Sequence, residues 1–467
     1  MRPNRHSTFV TSIAESAWPA IPSQEGARLL SVIYQMEHDQ WQSPEYINER
    51  QFQQATVLLQ HAYQSCSYYR QRLDSDDLHP DKIYSPEQWS QLPILERGTI
   101  QREQKSIIST AIPKQHGACH KGSTSGSTGQ SIDFIGTQYS HFIWKTHTLR
   151  DHLWHQRDFT KKIAYIRDTP DNDPRFKDGL EIAGWGPITN TLFHTTASVA
   201  LDVSNPIEKQ CRWLIEQNPT YLHSYASNLN AIAAWFEQHN KTLPALEEAI
   251  AFGEVVQPES VVLFNKVFNA KLYGIYTSKE CGYMALQCGE SGNYHVQSES
   301  VLLEVISDTD EACKPGEIGR VIVTTLHNFA MPLIRYAIGD YAEVGEACGC
   351  GRGLPTIRRI MGRERNMLTL HSGDKQWPRL TQFKKTLLKA LPSHRFQIVQ
   401  TRREVLEVRI ESDRHLSNRE EQDVARSFYQ SINYFSDFDI RFLYLDHGTL
   451  SSNEKLEDFR SELVRTA

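Results

Sequence analysis

Helical and short β patterns alternate along residues 162–276, β pattern dominates after Ser300, and the pattern changes again beyond Gly362. These three observations predict an α/β protein, with a large N-terminal domain of mixed sheets and helices and a small α+β C-terminal domain. From Glu25 to Arg72, Leu29, Ile33, Met36, Phe52, Val57, Leu58 and Tyr63 recur at roughly helical spacing. Pro80 to Pro93 reads as loop and ends on Leu92-Pro93-Ile94-Leu95, before a short polar helix. A Gly/Ser/Thr-rich loop follows, then a helix near Ser140–Asp151 and a strand over Lys162–Ile166.

Helices over Ile207–Gln217 and Ser227–Gln238 alternate with β runs at Ala249–Phe252 and Ala270–Tyr276, the signature of a parallel sheet. Strands at Val301–Ile306, Gly319–Thr325 and Tyr341–Val344 are separated by Gly and Pro turns. Gly362-Arg363-Glu364-Arg365-Asn366 reads as a boundary, so the domains expected are 1–361, a connector at 362–366, and 367–467. Beyond it come strands Phe396–Thr401 and Val405–Ile410, a helix Asn418–Ser431 and a strand Asp439–Leu445.

Bulk properties remove several classes. Lys plus Arg is 50 and Asp plus Glu 56, a net charge of −6 that gives no electrostatic case for nucleic acid. No run of 18 apolar residues occurs, so no membrane span is expected. Met1 to Gln24 has no apolar signal core, and the chain reads as cytoplasmic. The eight cysteines are irregularly spaced and do not form a disulfide framework.

The most informative segment is Lys121-Gly122-Ser123-Thr124-Ser125-Gly126-Ser127-Thr128-Gly129-Gln130. Glycines allow positive φ and close approach of the backbone, so amide N–H groups and short hydroxyls can converge on an anion. The order is not that of a P-loop NTPase, which needs Gly-x-x-x-x-Gly-Lys-Ser/Thr. It reads as a phosphate loop of a different kind.

Four further blocks follow in order: Tyr276-Thr277-Ser278-Lys279-Glu280, Leu333-Ile334-Arg335-Tyr336-Ala337-Ile338-Gly339-Asp340, Ile360-Met361-Gly362-Arg363, and Lys455 within Ser451–Phe459. With Ser67-Tyr68-Tyr69-Arg70 and Leu92-Pro93-Ile94-Leu95 nearer the N-terminus, the set resembles the adenylate-forming superfamily, and within it the phenylacetate–CoA ligase-like family. The resemblance spans nearly the whole chain.

It implies ATP-dependent activation of a carboxylic acid to an acyl-adenylate with release of pyrophosphate, then acyl transfer to coenzyme A. By that resemblance Ser125, Gly126, Ser127, Thr128 and Gly129 hold the β- and γ-phosphates, and Glu280 binds Mg²⁺. Tyr276 stacks near adenine, and Gly253-Glu254 lies near it. Asp340 binds the ribose hydroxyls, and Arg363 contacts ribose or phosphate. Lys455 is the catalytic cation between carboxylate and α-phosphate, carried on a C-terminal domain that is mobile in such enzymes. Trp144, Trp185, Tyr225 and Phe252 are candidates for the wall of an acid pocket, and aromatic walls suit an aromatic acid.

Two departures from the family pattern stand out. Gln130 replaces the usual loop cation, and Lys279 replaces the hydroxyl before Glu280, so Lys279 is expected to reach the phosphates instead. Arg365 and Asn366 replace acidic residues of the hinge, which bears on transfer to coenzyme A. A carboxylic acid is thus the expected substrate. The acceptor is coenzyme A, an amine or a carrier protein, a catalytically weak nucleotide-binding relative is the third reading, and a homodimer is left open.

Cys288, His295, Cys348 and Cys350 form Cys-x6-His and Cys-x-Cys in Gly-punctuated β segments, a set suited to structural Zn²⁺. Cys66, Cys119, Cys211, Cys281 and Cys313 lack partner spacing.

Overall fold

The computed structural model describes residues 8–463 except 84, 125–130, 170–172, 379, 392–394, 433–437, 447–448 and 452–457. The loop residues Ser125 to Gln130 and the candidate Lys455 therefore lie outside the described residues.

The chain divides into two compact units. The first runs to Ile360 apart from the segment after Thr124 and Gly339–Tyr341. The second consists mainly of the chain from Met361 onward, with Gly339–Tyr341.

The helical pattern from Glu25 to Arg72 resolves into three helices, Gln24–Asp39, Pro44–Ser65 and Ser67–Ser75. Ser23 and Ser43 cap the first two, each accepting a backbone N–H with its hydroxyl, and Pro44 fits the first turn because no partner is needed for its missing N–H. A twelve-stranded sheet forms the frame of the first unit. Its order is Val301–Ile306, Ile318–Thr325, Tyr336–Val344, Thr356–Arg363, Tyr294–Val296, Gly282–Gln287, Lys271–Ser278, Glu248–Phe252, Tyr221–Tyr225, Ile163–Arg167, Ser198–Asp202, Leu180–Ile182. The strands from Lys271–Ser278 to Ser198–Asp202 are parallel, and the strand pairs on either side of that run are antiparallel.

Alternation along these strands divides the core. Ala164, Ile166, Leu222, Ala249, Ala251 and Leu272 face helices Ile207–Gln217, Ala226–Gln238 and Pro258–Phe268. Their neighbours Ile163, Tyr221, Ile250 and Ile275 face the other way, onto Leu29, Ile33, Met36 and Leu149. A period of two sends successive side chains to opposite faces, so both faces of a parallel sheet need helices.

Arg335, in the Leu333–Asp340 block, is a structural tie. Its side chain is 2% exposed, pairs with Glu304 at 3.1 Å and donates to the carbonyls of Ser90 and Leu92, at 2.5 and 2.6 Å. Leu95 pairs with Tyr336 in a parallel bridge beside it, and Tyr69 donates to the Pro332 carbonyl at 2.7 Å. The two N-terminal blocks and the Ile334-Arg335-Tyr336 block are thus one packed assembly. The strand expected at Tyr341–Val344 begins five residues earlier, at Tyr336, because this pairing extends it.

In the second unit a four-stranded sheet is ordered Asp439–Leu445, Val405–Glu411, Arg395–Arg402, Phe459–Ser461. Helices Thr381–Ala390 and Asn418–Ile432 pack on each other against it. The sequence reading holds the three longer strands and the second helix; it lacks the first helix and the last strand.

Candidate functional site

In an open parallel sheet the carboxyl ends of the strands border the ligand crevice, because the following turns and helix N-termini converge there. Tyr225 ends one such strand, Phe252 the next, and Ser278 the third. Gly253-Glu254 and Lys279-Glu280 follow directly. The sequence candidates Tyr225, Phe252, Gly253, Glu254, Lys279 and Glu280 therefore gather at one edge of the first unit.

Gly253 has φ +70°, a turn conformation that costs glycine little. Glu254 accepts the Ser227 N–H at 2.7 Å, so its carboxylate sits on the first turn of helix Ala226–Gln238, where negative charge is favoured. Tyr225 donates to Asp168 at 2.8 Å and packs at 4.6 Å on Phe252, which stacks at 4.5 Å on His223. Tyr165 meets His223 at 5.5 Å and donates to the Trp185 carbonyl at 3.1 Å. A half-buried aromatic row thus crosses three neighbouring strands. Trp185 lies beneath it, 4% exposed, its indole N–H on the Lys161 carbonyl and its ring against Phe159 and Tyr221. Tyr276 is buried in the core that contains Tyr336 and Ile338.

Beside Glu280 opens a cavity whose walls include Lys279, Glu280, Trp144, His120, His141 and His147. Lys279 is exposed and Glu280 half-buried. His147 is fully buried; its Nε2 lies 2.5 Å from the Ser300 hydroxyl, and its Nδ1 has no protein partner. Burial holds the His147 and His141 imidazoles below their ordinary pKa, so they are neutral hydrogen-bonding groups at neutral pH and Lys279 is the charged donor of this wall. No sequence signal marks these histidines, which come from the strand Cys119–Ser123 and the helix Gln138–Trp154 on either side of the Ser/Thr/Gly segment.

That loop springs from a hairpin, Cys119–Ser123 paired with Asp133–Thr137. Thr124 closes its neck: its N–H donates to the Ile132 carbonyl and its hydroxyl accepts the Ile132 N–H, both at 2.9 Å.

In the second unit Asp340 and Arg363 meet, with Arg363 Nε 3.4 Å from a carboxylate oxygen. Both are partly exposed, so a ligand could compete for either. Gly362 has φ +108°, and Asn366 accepts the Arg363 N–H at 2.8 Å, which folds the expected connector into a tight turn.

Cys288, His295, Cys348 and Cys350 converge within 4.8 Å of one another. Cys288 and Cys348 sulfurs are 3.9 Å apart, and Cys350 Sγ is 3.3 Å from His295 Nε2. Two sulfurs bound tetrahedrally to zinc at about 2.3 Å are about 3.8 Å apart, so the pair already has the spacing a metal needs. His295 Nδ1 faces the Leu354 carbonyl at 3.4 Å, which leaves Nε2 to ligate. Backbone N–H groups of Glu290 and Ser291 bond the Cys288 sulfur, as they do where a thiolate must be stabilised. Three thiols and one imidazole are a donor set that fits Zn²⁺.

No family model matches the sequence. A phenylacetate-coenzyme A ligase of Thermus thermophilus is 34% identical over 142 residues, a stretch that spans 30% of this chain and 30% of that relative. A 2-hydroxyisobutyryl-CoA ligase in the postadenylation state, in complex with R3-HIB-AMP, superposes with a TM-score of 0.66 at 15% identity, over 88% of this chain and 89% of that one. This chain has the fold of the 2-hydroxyisobutyryl-CoA ligase, and one 142-residue stretch of it is similar to a phenylacetate-coenzyme A ligase. A structure of the same 2-hydroxyisobutyryl-CoA ligase in the thioesterification state covers 98% of this chain and 97% of its own, with a TM-score of 0.56 at 14% identity. McyG A-PCP complexed with phenylalanyl-adenylate matches with a TM-score of 0.52 at 12% identity, over 75% of this chain and 66% of that one.

Proposed function

We propose that this chain activates a carboxylic acid with ATP, forming an acyl-adenylate and pyrophosphate, and then passes the acyl group to coenzyme A. The observation that carries the reading is the corner made by Lys279 and Glu280 at a parallel strand end, opening on a cavity that is also lined by His120, Phe134 and Gly136 of the hairpin flanking the Ser/Thr/Gly segment. A carboxylate and a polyphosphate are both anionic, so bringing them together requires charge neutralisation and fixed positioning. Glu280 would hold Mg²⁺, which would supply positive charge to offset that of the phosphates. Lys279 would donate to a phosphate oxygen in place of the absent loop cation, and Ser125 to Gly129 would cradle the β- and γ-phosphates. Asp340 and Arg363 would exchange their mutual pairing for the ribose hydroxyls and a phosphate.

Lys455 would bridge the acid and the α-phosphate, and a hinge at 362–366 between a large domain 1–361 and a lid 367–467 would carry it. The row Tyr225, Phe252, His223 and Tyr165 would form the flat wall for an aromatic acid, with Trp185 supporting it from below and Trp144 facing the cavity. The acyl-adenylates and coenzyme A in the 2-hydroxyisobutyryl-CoA ligase structures support this order of steps. Zn²⁺ on Cys288, His295, Cys348 and Cys350 would be structural, pinning the Cys348–Cys350 turn to the hairpin that carries Cys288 and His295.

A second acceptor reading rests on Arg365 and Asn366 in the hinge and on the likeness to McyG A-PCP, which is complexed with phenylalanyl-adenylate. There the acyl group would pass to a carrier protein or an amine. Pyrophosphate exchange with a panel of acids tests activation, and adding coenzyme A, then amines, separates the acceptors. Absence of exchange with every acid, while ATP still binds, leaves the weak nucleotide-binding reading in its place.

A further inference from the structure

Arg97 opens the helix Arg97–Ile107, which follows directly on the Leu92–Leu95 block. Its half-buried guanidinium donates to the Thr124 hydroxyl at 3.0 Å and lies 3.5 Å from the Tyr336 hydroxyl. Thr124 is the residue on which the phosphate loop closes, since it exchanges two hydrogen bonds with Ile132. The Thr124 hydroxyl therefore takes one neutral and one charged donor. Holding the neck closed needs only a neutral donor, and the Ile132 N–H already serves. The guanidinium adds a full positive charge at the root of a loop whose last position, Gln130, carries none.

Tyr336 ties this charge to the other side of the site. Burial pushes its phenol well above its ordinary pKa, and the charge of Glu280 adds to that while Arg97 opposes it. One phenol thus senses both groups, which places Arg97 in the electrostatic reach of the corner that opens on the cavity.

We infer that Arg97 is a positioning residue for a nucleoside triphosphate: it fixes the phosphate-loop neck through Thr124 and supplies the fixed cation that favours the β- and γ-phosphates. The inference rests on the adenylation reading and goes beyond it, since it assigns the missing loop charge to the N-terminal block as well as to Lys279. Arg is suited to this place, because its planar fork can hold a hydroxyl and still present charge, whereas Lys is a point donor.

Equilibrium binding of a non-hydrolysable ATP analogue and of AMP, measured by calorimetry on the full chain, tests it. Arg97→Gln keeps a donor for Thr124 and removes the charge. The analogue is expected to bind about tenfold more weakly or worse, from the loss of a charge-assisted contact, while AMP binding stays within about twofold. Arg97→Lys is expected to recover part of the loss, and raising the salt concentration to narrow the gap between wild type and Arg97→Gln. Equal weakening of both ligands would mean a purely structural role and overturn the inference. Unchanged binding of the analogue would overturn it too. Wild-type protein that binds neither nucleotide would instead remove the adenylation reading itself, and those outcomes are distinguishable. Because Arg97→Gln could unfold the helix start, Thr124→Val is measured alongside; it keeps the charge, and the analogue should lose less affinity than in Arg97→Gln.

Discussion

Lowering the pH from 7 to 5 should strip this protein of much of its stability, and the buried histidines say by how much. Among the described residues every histidine with a displaced pKa is displaced downward. Burial is the leading cause in each. His152 and His223 are pushed down to about 3 and His155 to about 4, with the Arg157 charge acting in the same sense on each. The unfolded chain takes up a proton on each below about pH 6.5, whereas the fold refuses it until pH 3 to 4, so acid favours the unfolded chain. At pH 5 the unfolded histidine lies about 1.5 units below its pKa, which costs about 2 kcal/mol per residue and about 6 kcal/mol for the three. That is comparable with the whole stability of a typical domain, about 5–15 kcal/mol. Glu248 and Glu304, whose carboxyls burial pushes up, act in the opposite sense, but they are two groups against these three and the other lowered histidines.

Urea unfolding followed by tryptophan fluorescence at pH 7, 6 and 5 measures the effect. The His152→Gln, His155→Gln double variant should lose about 4 kcal/mol less between pH 7 and 5 than the wild type. Equal stability at pH 5 and 7, or a maximum near pH 5, would refute the assignment of these histidines as buried and neutral.

Three further outcomes follow from the same geometry. Arg157 is wholly buried between Asp151 and Glu248, at 2.5 Å from the latter, so Arg157→Met should cost about 3–5 kcal/mol in urea unfolding by stranding two carboxylates. Adding Asp151→Asn and Glu248→Gln should recover part of that loss. Elemental analysis should find one zinc per chain in wild type and less in Cys350→Ser, and a chelator should lower the melting temperature. Lys279→Thr should lower the rate of pyrophosphate exchange about tenfold or more, and an unchanged rate would remove its phosphate role.

How far the sequence shows this structure depends on the range of the interaction involved. Local signals carried the α/β frame: the spacing of Leu29, Ile33 and Met36, the Val301–Ile306 run, and the helix Ile207–Gln217, found with the bounds expected. The zinc-type cluster was legible because Cys-x-Cys and Cys-x6-His are local, and the two are united by the pairing of the His295 strand with Thr356–Arg363, for which the segments only had to be β. The helix Thr381–Ala390 was not, since its apolar face is short, with Phe383 and Leu387 buried and Ala390 partly so, and it packs on Asn418–Ile432. Arg335 stood in the sequence only as part of a block that carries the family resemblance, and its burial against Ser90, Leu92 and Glu304 depends on partners 31 to 245 positions away. Arg97 gave no signal at all: a lone arginine in a polar helix becomes informative once Thr124 is seen beneath it.

The most direct test of the account is ATP–pyrophosphate exchange by the purified chain with a panel of aromatic and small aliphatic acids. The account predicts acid-dependent exchange, abolished in Glu280→Gln with the fold intact by circular dichroism. Exchange that persists undiminished in Glu280→Gln, or none with any acid in wild type, would contradict it.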